Sequence, residues 1–208
     1  MNPESALATG VVRSVNVGAI REVMWHDEVV RTGIWKSPVE GPVAIRGVNL
    51  DGDAQADLTV HGGRDKAVYA YAVEDYAWFG EREAFPVHDG VFGENLTTRG
   101  LDLSGAVVGE RWRVGTALLE VAQPRLPCFK LGIRVGDATF LKRFQAALRP
   151  GAYLRIVEEG GVQVGDSVTV LSRPDHGVTM AMMMEASTNR DMARAIQRAP
   201  WLPERWRG

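Results

Sequence analysis

The hydrophobic positions of this chain fall in short runs broken by glycine, a pattern that predicts a mainly β protein. Val11 to Val17 is a β-rich run ending at Gly18, and Glu28 to Trp35 carries Val29, Val30, Ile34 and Trp35 around Thr32-Gly33. Val43 to Leu50 ends at the turn signal Asp51-Gly52-Asp53. Ala67 to Tyr71 is a short apolar, aromatic strand, and Arg111 to Val121 folds back on itself at Gly115-Thr116. Tyr153 to Val157 and Ser167 to Leu171 flank Glu159-Gly160-Gly161 and Gly165-Asp166. Many short strands with frequent turns predict a closed or nearly closed barrel rather than alternating strand–helix units.

Two segments change to helical spacing. Val73 to Phe85 follows with Tyr76, Trp78 and Phe79 after the acidic start Glu74-Asp75. Ala138 to Leu148 places Phe140, Leu141, Phe144 and Leu148 on one face and stops at Arg149-Pro150-Gly151. Beyond Ser172-Arg173-Pro174 the composition shifts. Thr179 is placed to cap a helix through Met180, Met182, Met183 and Met184, methionine being a common core filler. Thr188-Asn189-Arg190-Asp191 fits a capping box before Met192 to Arg198, and Leu202 to Trp206 predicts a third short helix. The chain thus divides into a β-barrel domain with a few peripheral helices, residues 1–174, and a small all-α appendage, residues 175–208.

Composition narrows the functional classes. A chain of 208 residues holds one substantial domain plus an appendage, and 45% hydrophobic with 24% charged residues is ordinary for a globular protein. The formal net charge of −2 argues against a nucleic-acid partner. No run of about 18 apolar residues predicts a membrane helix. Met1 to Ser5 shows neither a basic nor an apolar signal region, and there is one cysteine, so the expected compartment is the cytoplasm.

That cysteine is the leading chemical candidate. Cys128 lies in Gln123-Pro124-Arg125-Leu126-Pro127-Cys128-Phe129-Lys130, where two prolines stiffen the backbone and two cations favour the thiolate. Taken alone, the segment suits a buried structural cysteine equally well. His61-Gly62-Gly63 before Lys66 reads either as a backbone anion nest beside a fixed charge or as a tight turn. Lys36-Ser37 and the Asn95-Leu96-Thr97-Thr98 segment have the same two readings, binding groups or surface and turn polarity. The four histidines (His26, His61, His88 and His176) are scattered, so a metal site made of protein ligands alone is not expected. A Cys128–His61 nucleophile pair stays open.

Several of these segments, in order, resemble one family. Gly33-Ile34-Trp35-Lys36-Ser37-Pro38-Val39, Asn49 to Asp57, Val60-His61-Gly62-Gly63 with Asp65 to Tyr69, Phe92-Gly93-Glu94-Asn95-Leu96-Thr97, and the Cys128 segment are similar to motifs of the MOSC family, named for the C-terminal domain of molybdenum cofactor sulfurase. The closer likeness is to its YiiM-like branch, whose three-helix extension the tail resembles. The resemblance implies a MOSC-type β-barrel that binds the molybdenum cofactor, a phosphate-bearing pterin dithiolene, in its molybdopterin form. It implies Cys128 as the catalytic thiolate ligand to molybdenum, which suits a soft donor. It further implies His61, Gly62, Gly63, Lys66, Lys36 and Arg125 for the phosphate, Asn95, Thr97 and Gln123 for the pterin edge, and Ser37 within the same cofactor site. The activity implied is reduction of N-hydroxylated compounds such as hydroxylaminopurine base analogues. No dinucleotide fingerprint or iron–sulfur cysteine set is present, so electrons are expected from a separate reductase. Two other readings compete: a sulfur-carrier transferase using a Cys128 persulfide, and a non-catalytic cofactor-binding module.

Overall fold

The structure, a computed structural model, describes residues 7–58, 62–197 and 202–207. Seven strands close a barrel: β1 (Ala8–Val17), β2 (Val68–Ala72), β3 (Leu96–Arg99), β4 (Arg111–Val114), β5 (Ala117–Gln123), β6 (Ala152–Glu158) and β7 (Ser167–Ser172). Their order is β7-β4-β5-β6-β2-β3-β1, and β1 returns to pair with β7, Ala8 opposite Val170. Neighbours are antiparallel except β2 and β3, which run parallel with Ala70 opposite Leu96. A parallel pair needs a crossover, and residues 73–95 supply it through helix α1 (Val73–Gly80).

The predicted strands are present with three boundary corrections. The run Glu28 to Trp35 ends at Thr32, where it pairs with Arg21–Trp25 as a separate hairpin. Gly33 breaks it because a side chain there would sit 2.3 Å from the Ala54 carbonyl oxygen. Val43 to Leu50 is two short strands, Val43–Arg46 and Asn49–Leu50, separated at Gly47 in the left-handed region with φ 62°. Third, Leu96 to Arg99 is a strand rather than a turn.

The barrel interior is aliphatic. Val12, Val15, Val114, Leu119, Val121, Leu154, Val168 and Val170 are all buried there, each worth about 1.5–3 kcal/mol of transfer free energy. The segment Val68-Tyr69-Ala70-Tyr71-Ala72 shows how one strand serves two cores. Alternation sends Val68, Ala70 and Ala72 into the barrel and Tyr69 and Tyr71 out of it. The tyrosines join an aromatic cluster with Tyr76, Phe79, Phe92, Phe140 and Phe144, many of whose rings meet edge to face. Helices α1, α2 (Phe129–Val135) and α3 (Phe140–Ala147) cover this cluster.

The tail contains α4 (Met180–Ala186), α5 (Arg190–Ile196) and a 3-10 turn, Glu204–Trp206. Thr179 caps α4 as expected, accepting from the Met182 N–H at 3.2 Å. The cap of α5 is Asn189 instead of Thr188, its side-chain oxygen accepting from the N–H groups of Asp191 and Met192. Met180, Met183, Ala186, Ile196 and Leu202 join the aliphatic cluster of the barrel.

Candidate functional site

One cleft gathers most of the sequence candidates. It is lined by Thr32 to Ile34, Lys36, Asp53 to Ala56, Lys66, Tyr69, Gly93, Asn95, Arg125, Cys128, Lys130 and Tyr153. Its charge is one-sided: Lys36, Lys66, Arg125 and Lys130 face a single carboxylate, Asp53. In a chain of net charge −2 this is a local excess of positive charge.

Each wall has a physical reason for its position. Cys128 is the residue that starts α2, with extended backbone, and its carbonyl accepts from the Leu131 N–H at 2.8 Å. Leu131 is fully buried in the aromatic cluster and so ties the cysteine's helix to the fold. The thiol is partly exposed, which favours the reactive reading over the buried structural one.

Arg125 is buried, and among the described residues no carboxylate forms a salt bridge with it. It donates to the Phe92 carbonyl and lies over the Tyr69 ring, 5.5 Å from its centroid. Tyr153 stacks on the same ring at 4.7 Å. Burial opposes the charge on Arg125, but Tyr69, Tyr153 and Cys128 together hold its pKa above the usual arginine value. The guanidinium therefore stays charged. Tyr69 is in turn held by its hydroxyl, which donates to the Pro150 carbonyl at 2.8 Å, and burial pushes its pKa well up.

The opposite wall is a closed polar network. Lys36 is ion-paired with Asp53, and both side chains are almost entirely buried. Asp53 also accepts from the Gly18 N–H at 2.9 Å and from Asn95 Nδ2 at 3.1 Å. The Asn95 carbonyl oxygen accepts from the Tyr69 N–H at 3.0 Å, stitching the loop to the barrel. Burial lowers the Lys36 pKa, while Asp53 counters it. Directly beneath, the fully buried Glu94 accepts from the hydroxyls of Tyr76 and Thr97 and from the N–H groups of Gly90 and Phe92. Its pKa is raised by burial, which the four donors oppose. Glu94 thereby shapes the turn that presents Gly93 and Asn95 to the cleft.

Of the sequence candidates, Cys128, Lys36, Lys66, Asn95 and Arg125 converge on the cleft. Ser37 is exposed in a two-residue strand opposite Val17 and does not line it. Thr97 is buried below, bonded to Asn16 and Glu94. Gln123 is also buried, donating to the Asp65 carbonyl at 3.1 Å. Gly62 and Gly63 flank the Lys66 turn, but the Gly63 N–H donates to Gln55 at 3.0 Å instead of opening as an anion nest. His61 lies outside the described residues. Asp65 pairs with Arg155.

Asp53, Gln55, Tyr69, Lys130 and Tyr153 line the cleft without having been singled out as site residues. Gln55 fixes the Lys66 turn, donating to the Val48 and Lys66 carbonyls at 2.9 and 3.3 Å. A hint lay in the sequence, because Asp53 and Gln55 sit inside the ordered segment Asn49 to Asp57. Among the described residues no group of three His, Cys, Asp or Glu side chains is placed to hold a metal ion. One thiol beside four cations and neutral hydrogen-bonding groups suits an anionic ligand.

The model of the MOSC domain matches residues 57–169. The chain is 37% identical over 169 residues to the uncharacterized protein YflK of Bacillus subtilis, covering 81% of this chain and 76% of that one. It is 34% identical to a protein named Reductase from Gibberella moniliformis, covering 79% of this chain but 30% of that longer protein. The crystal structure of YiiM from Geobacillus stearothermophilus superposes with a TM-score of 0.74 at 29% identity, covering 96% of this chain and 95% of that one.

Proposed function

We infer the function from one premise: the chain belongs to the MOSC domain family. The cleft is read as the binding site of the molybdenum cofactor in its molybdopterin form, and the protein as a reductase of N-hydroxylated compounds such as hydroxylaminopurine base analogues. The observation that carries this reading is the convergence of Cys128 with Lys36, Lys66, Arg125 and Asn95 on one cleft from segments far apart in sequence.

The residues present fit such a group. The phosphate needs cations, and the lining supplies Lys66, Arg125 and Lys36, the last ion-paired with Asp53. Asn95 and Asp53 line the cleft already bonded to each other, so they hold the wall in place against which the pterin edge would lie. Tyr153 and Tyr69 offer a rigid aromatic wall. Cys128 would hold molybdenum through its thiolate. When bound, the cofactor supplies the two-electron chemistry that the protein's own side chains lack.

The overall reaction converts R–NHOH, two electrons and two protons into R–NH2 and water, with cleavage of the N–O bond. The protein's part is to bind and orient, and to keep the thiolate available. Arg125, charged and buried near Cys128, favours the thiolate form.

The test is purification from hosts with and without cofactor synthesis, followed by metal analysis and assay with a hydroxylaminopurine. Molybdenum bound near one equivalent and reductase activity, only from the competent host, are expected. Activity that is equal from both hosts, with no molybdenum in either, overturns the reading.

A further inference from the structure

The Arg64–Lys66 turn carries a lining residue of the cleft, yet it is anchored from behind. Gln123, at the end of β5 and 2% exposed, donates through Nε2 to the Asp65 carbonyl at 3.1 Å. Its side-chain oxygen accepts from the indole N–H of Trp206 at 3.4 Å, across 83 residues of sequence. Trp206 belongs to the 3-10 turn of the tail and packs, partly buried, against the aliphatic cluster of the barrel. One buried amide thus joins the tail to the turn that presents Lys66.

The same residue bears on two more parts of the cleft. Gln123 pairs with Tyr153 of β6, and the chain runs from it directly into Pro124-Arg125 and on to Cys128. Lys66, Arg125, Cys128 and Tyr153 all line the cleft, while Gln123 does not. A separate observation sets the tail against the turn: Arg64 and Asp65 share one hollow with Leu202, Pro203 and Glu204. A buried amide bonded at both ends holds its partners in one geometry, because shifting either of them leaves a buried polar group unpaired.

We propose that Gln123 is a positioning residue that couples the seating of Trp206 to the geometry of the cleft. The C-terminal tail is then part of the device that sets affinity for the anionic ligand. This rests on the cofactor reading of the cleft and needs no contact between Gln123 and the ligand. Such coupling is reciprocal, so a filled cleft also tightens the tail.

The experiment uses the full chain and three substitutions. Gln123→Met keeps the side-chain length and removes both hydrogen bonds. Trp206→Phe removes the indole donor and keeps an aromatic ring. Ile196→Ala is the control, since it empties a buried site in α5 and leaves both bonds of Gln123 in place. The Lys66 amide is bonded to the Gly63 carbonyl at 3.0 Å, and Gln123→Met should speed its hydrogen exchange in ligand-free protein by about two- to tenfold. Trp206→Phe should do the same to a smaller degree, and the double variant should exchange no faster than Gln123→Met alone. In protein from a cofactor-competent host, Gln123→Met should lose about fivefold or more in cofactor affinity, read as molybdenum retained on dilution. An unchanged Lys66 amide in both variants, or additive effects in the double variant, overturns the coupling. So does an Ile196→Ala protein whose Lys66 amide speeds up as much as in Gln123→Met. Where Gln123→Met fails to fold, Trp206→Phe against Ile196→Ala decides. Wild-type protein without molybdenum overturns the cofactor reading instead, and the exchange comparison still decides the coupling.

Discussion

The two hydrophobic cores of this protein differ in kind, and the difference separates stability from function. The barrel interior is filled with valine, leucine and alanine and holds its shape by close packing alone. The outer cluster is built from large rings, and its tyrosines also fasten loops. Tyr69 donates to the Pro150 carbonyl, Tyr71 to that of Arg149, and Tyr76 to Glu94. Every wall of the cleft is tied to this second core. Leu131 anchors the helix of Cys128, the Phe92 carbonyl holds Arg125, and Ile34 precedes Lys36 by two residues. The barrel is the frame, and the aromatic layer is the positioning device.

The sharpest way to break this contrast is a change that touches chemistry and neither core. Cys128→Ser should lower reductase activity of the loaded protein at least about 100-fold, as expected for loss of a metal ligand. The melting temperature should not fall, because serine is a good residue at a helix start. An active Cys128→Ser protein would remove the thiol from the site altogether.

A matched pair tests the two cores directly. Phe144→Ala should cost about 3–5 kcal/mol and Leu119→Ala about 2–5 kcal/mol in urea unfolding, since both residues are fully buried. Only Phe144→Ala should also change the rate at which Cys128 reacts with a thiol reagent under native conditions. Equal effects on that rate would show that the cores do not divide the work.

Tyr69→Phe is subtler, because it keeps the ring over which Arg125 lies and deletes one hydroxyl. Loss of the bond to the Pro150 carbonyl should cost about 0.5–1.5 kcal/mol. Molybdenum content should stay unchanged, and a clear loss would mean that the hydroxyl, not the ring, matters to the cleft.

The smallest effect lies at the outer edge of the aromatic layer. Arg143 bridges Glu83 and Asp137 there, and its guanidinium lies 5.6 Å from the Phe140 ring centroid. Hydrogen bonds from Arg143 and Thr139 hold the Asp137 carboxyl down to about 2. A depressed folded-state pKa gives stability that is present above the ordinary aspartate value of 3.8 and lost as pH falls toward 2. Asp137→Asn should therefore lower neutral-pH stability slightly and flatten the acid-side loss by a matching amount. Raising salt should shrink the difference further, as the group is partly exposed to solvent.

How far the sequence could be read follows from the same contrast. Strands with alternating or continuous apolar runs, such as Val68 to Ala72, were legible because period two marks a pleated strand. Helix α2 was missed: Phe129-Lys130-Leu131-Gly132-Ile133-Arg134-Val135 contains a glycine and two β-branched residues, and its first residue makes no side-chain cap. Strand β3 was missed because Thr97 and Thr98 look like turn polarity, yet both are buried beside the only parallel partner in the barrel. The site residues inside distinctive motifs, Cys128, Arg125, Lys66 and Asn95, could be singled out. Tyr153 and Tyr69 could not, since nothing local tells a lining tyrosine from a packing one. Ser37 and Gln123 were drawn in by their neighbours, and only the pairing of the chain shows that they face elsewhere.

The closing seam of the barrel also imposes an order in time. β1 pairs with β7, joining residues near Ala8 to residues near Val170 across most of the chain. During synthesis the first strand waits, unpaired on that edge, until the last barrel strand has left the ribosome. Contacts so distant in sequence make the final closure slow compared with the hairpins that precede it. The cleft borrows residues from Thr32 through Tyr153, so it too is complete only late. Whatever it holds can be bound only once the strand that carries Tyr153 has joined the barrel.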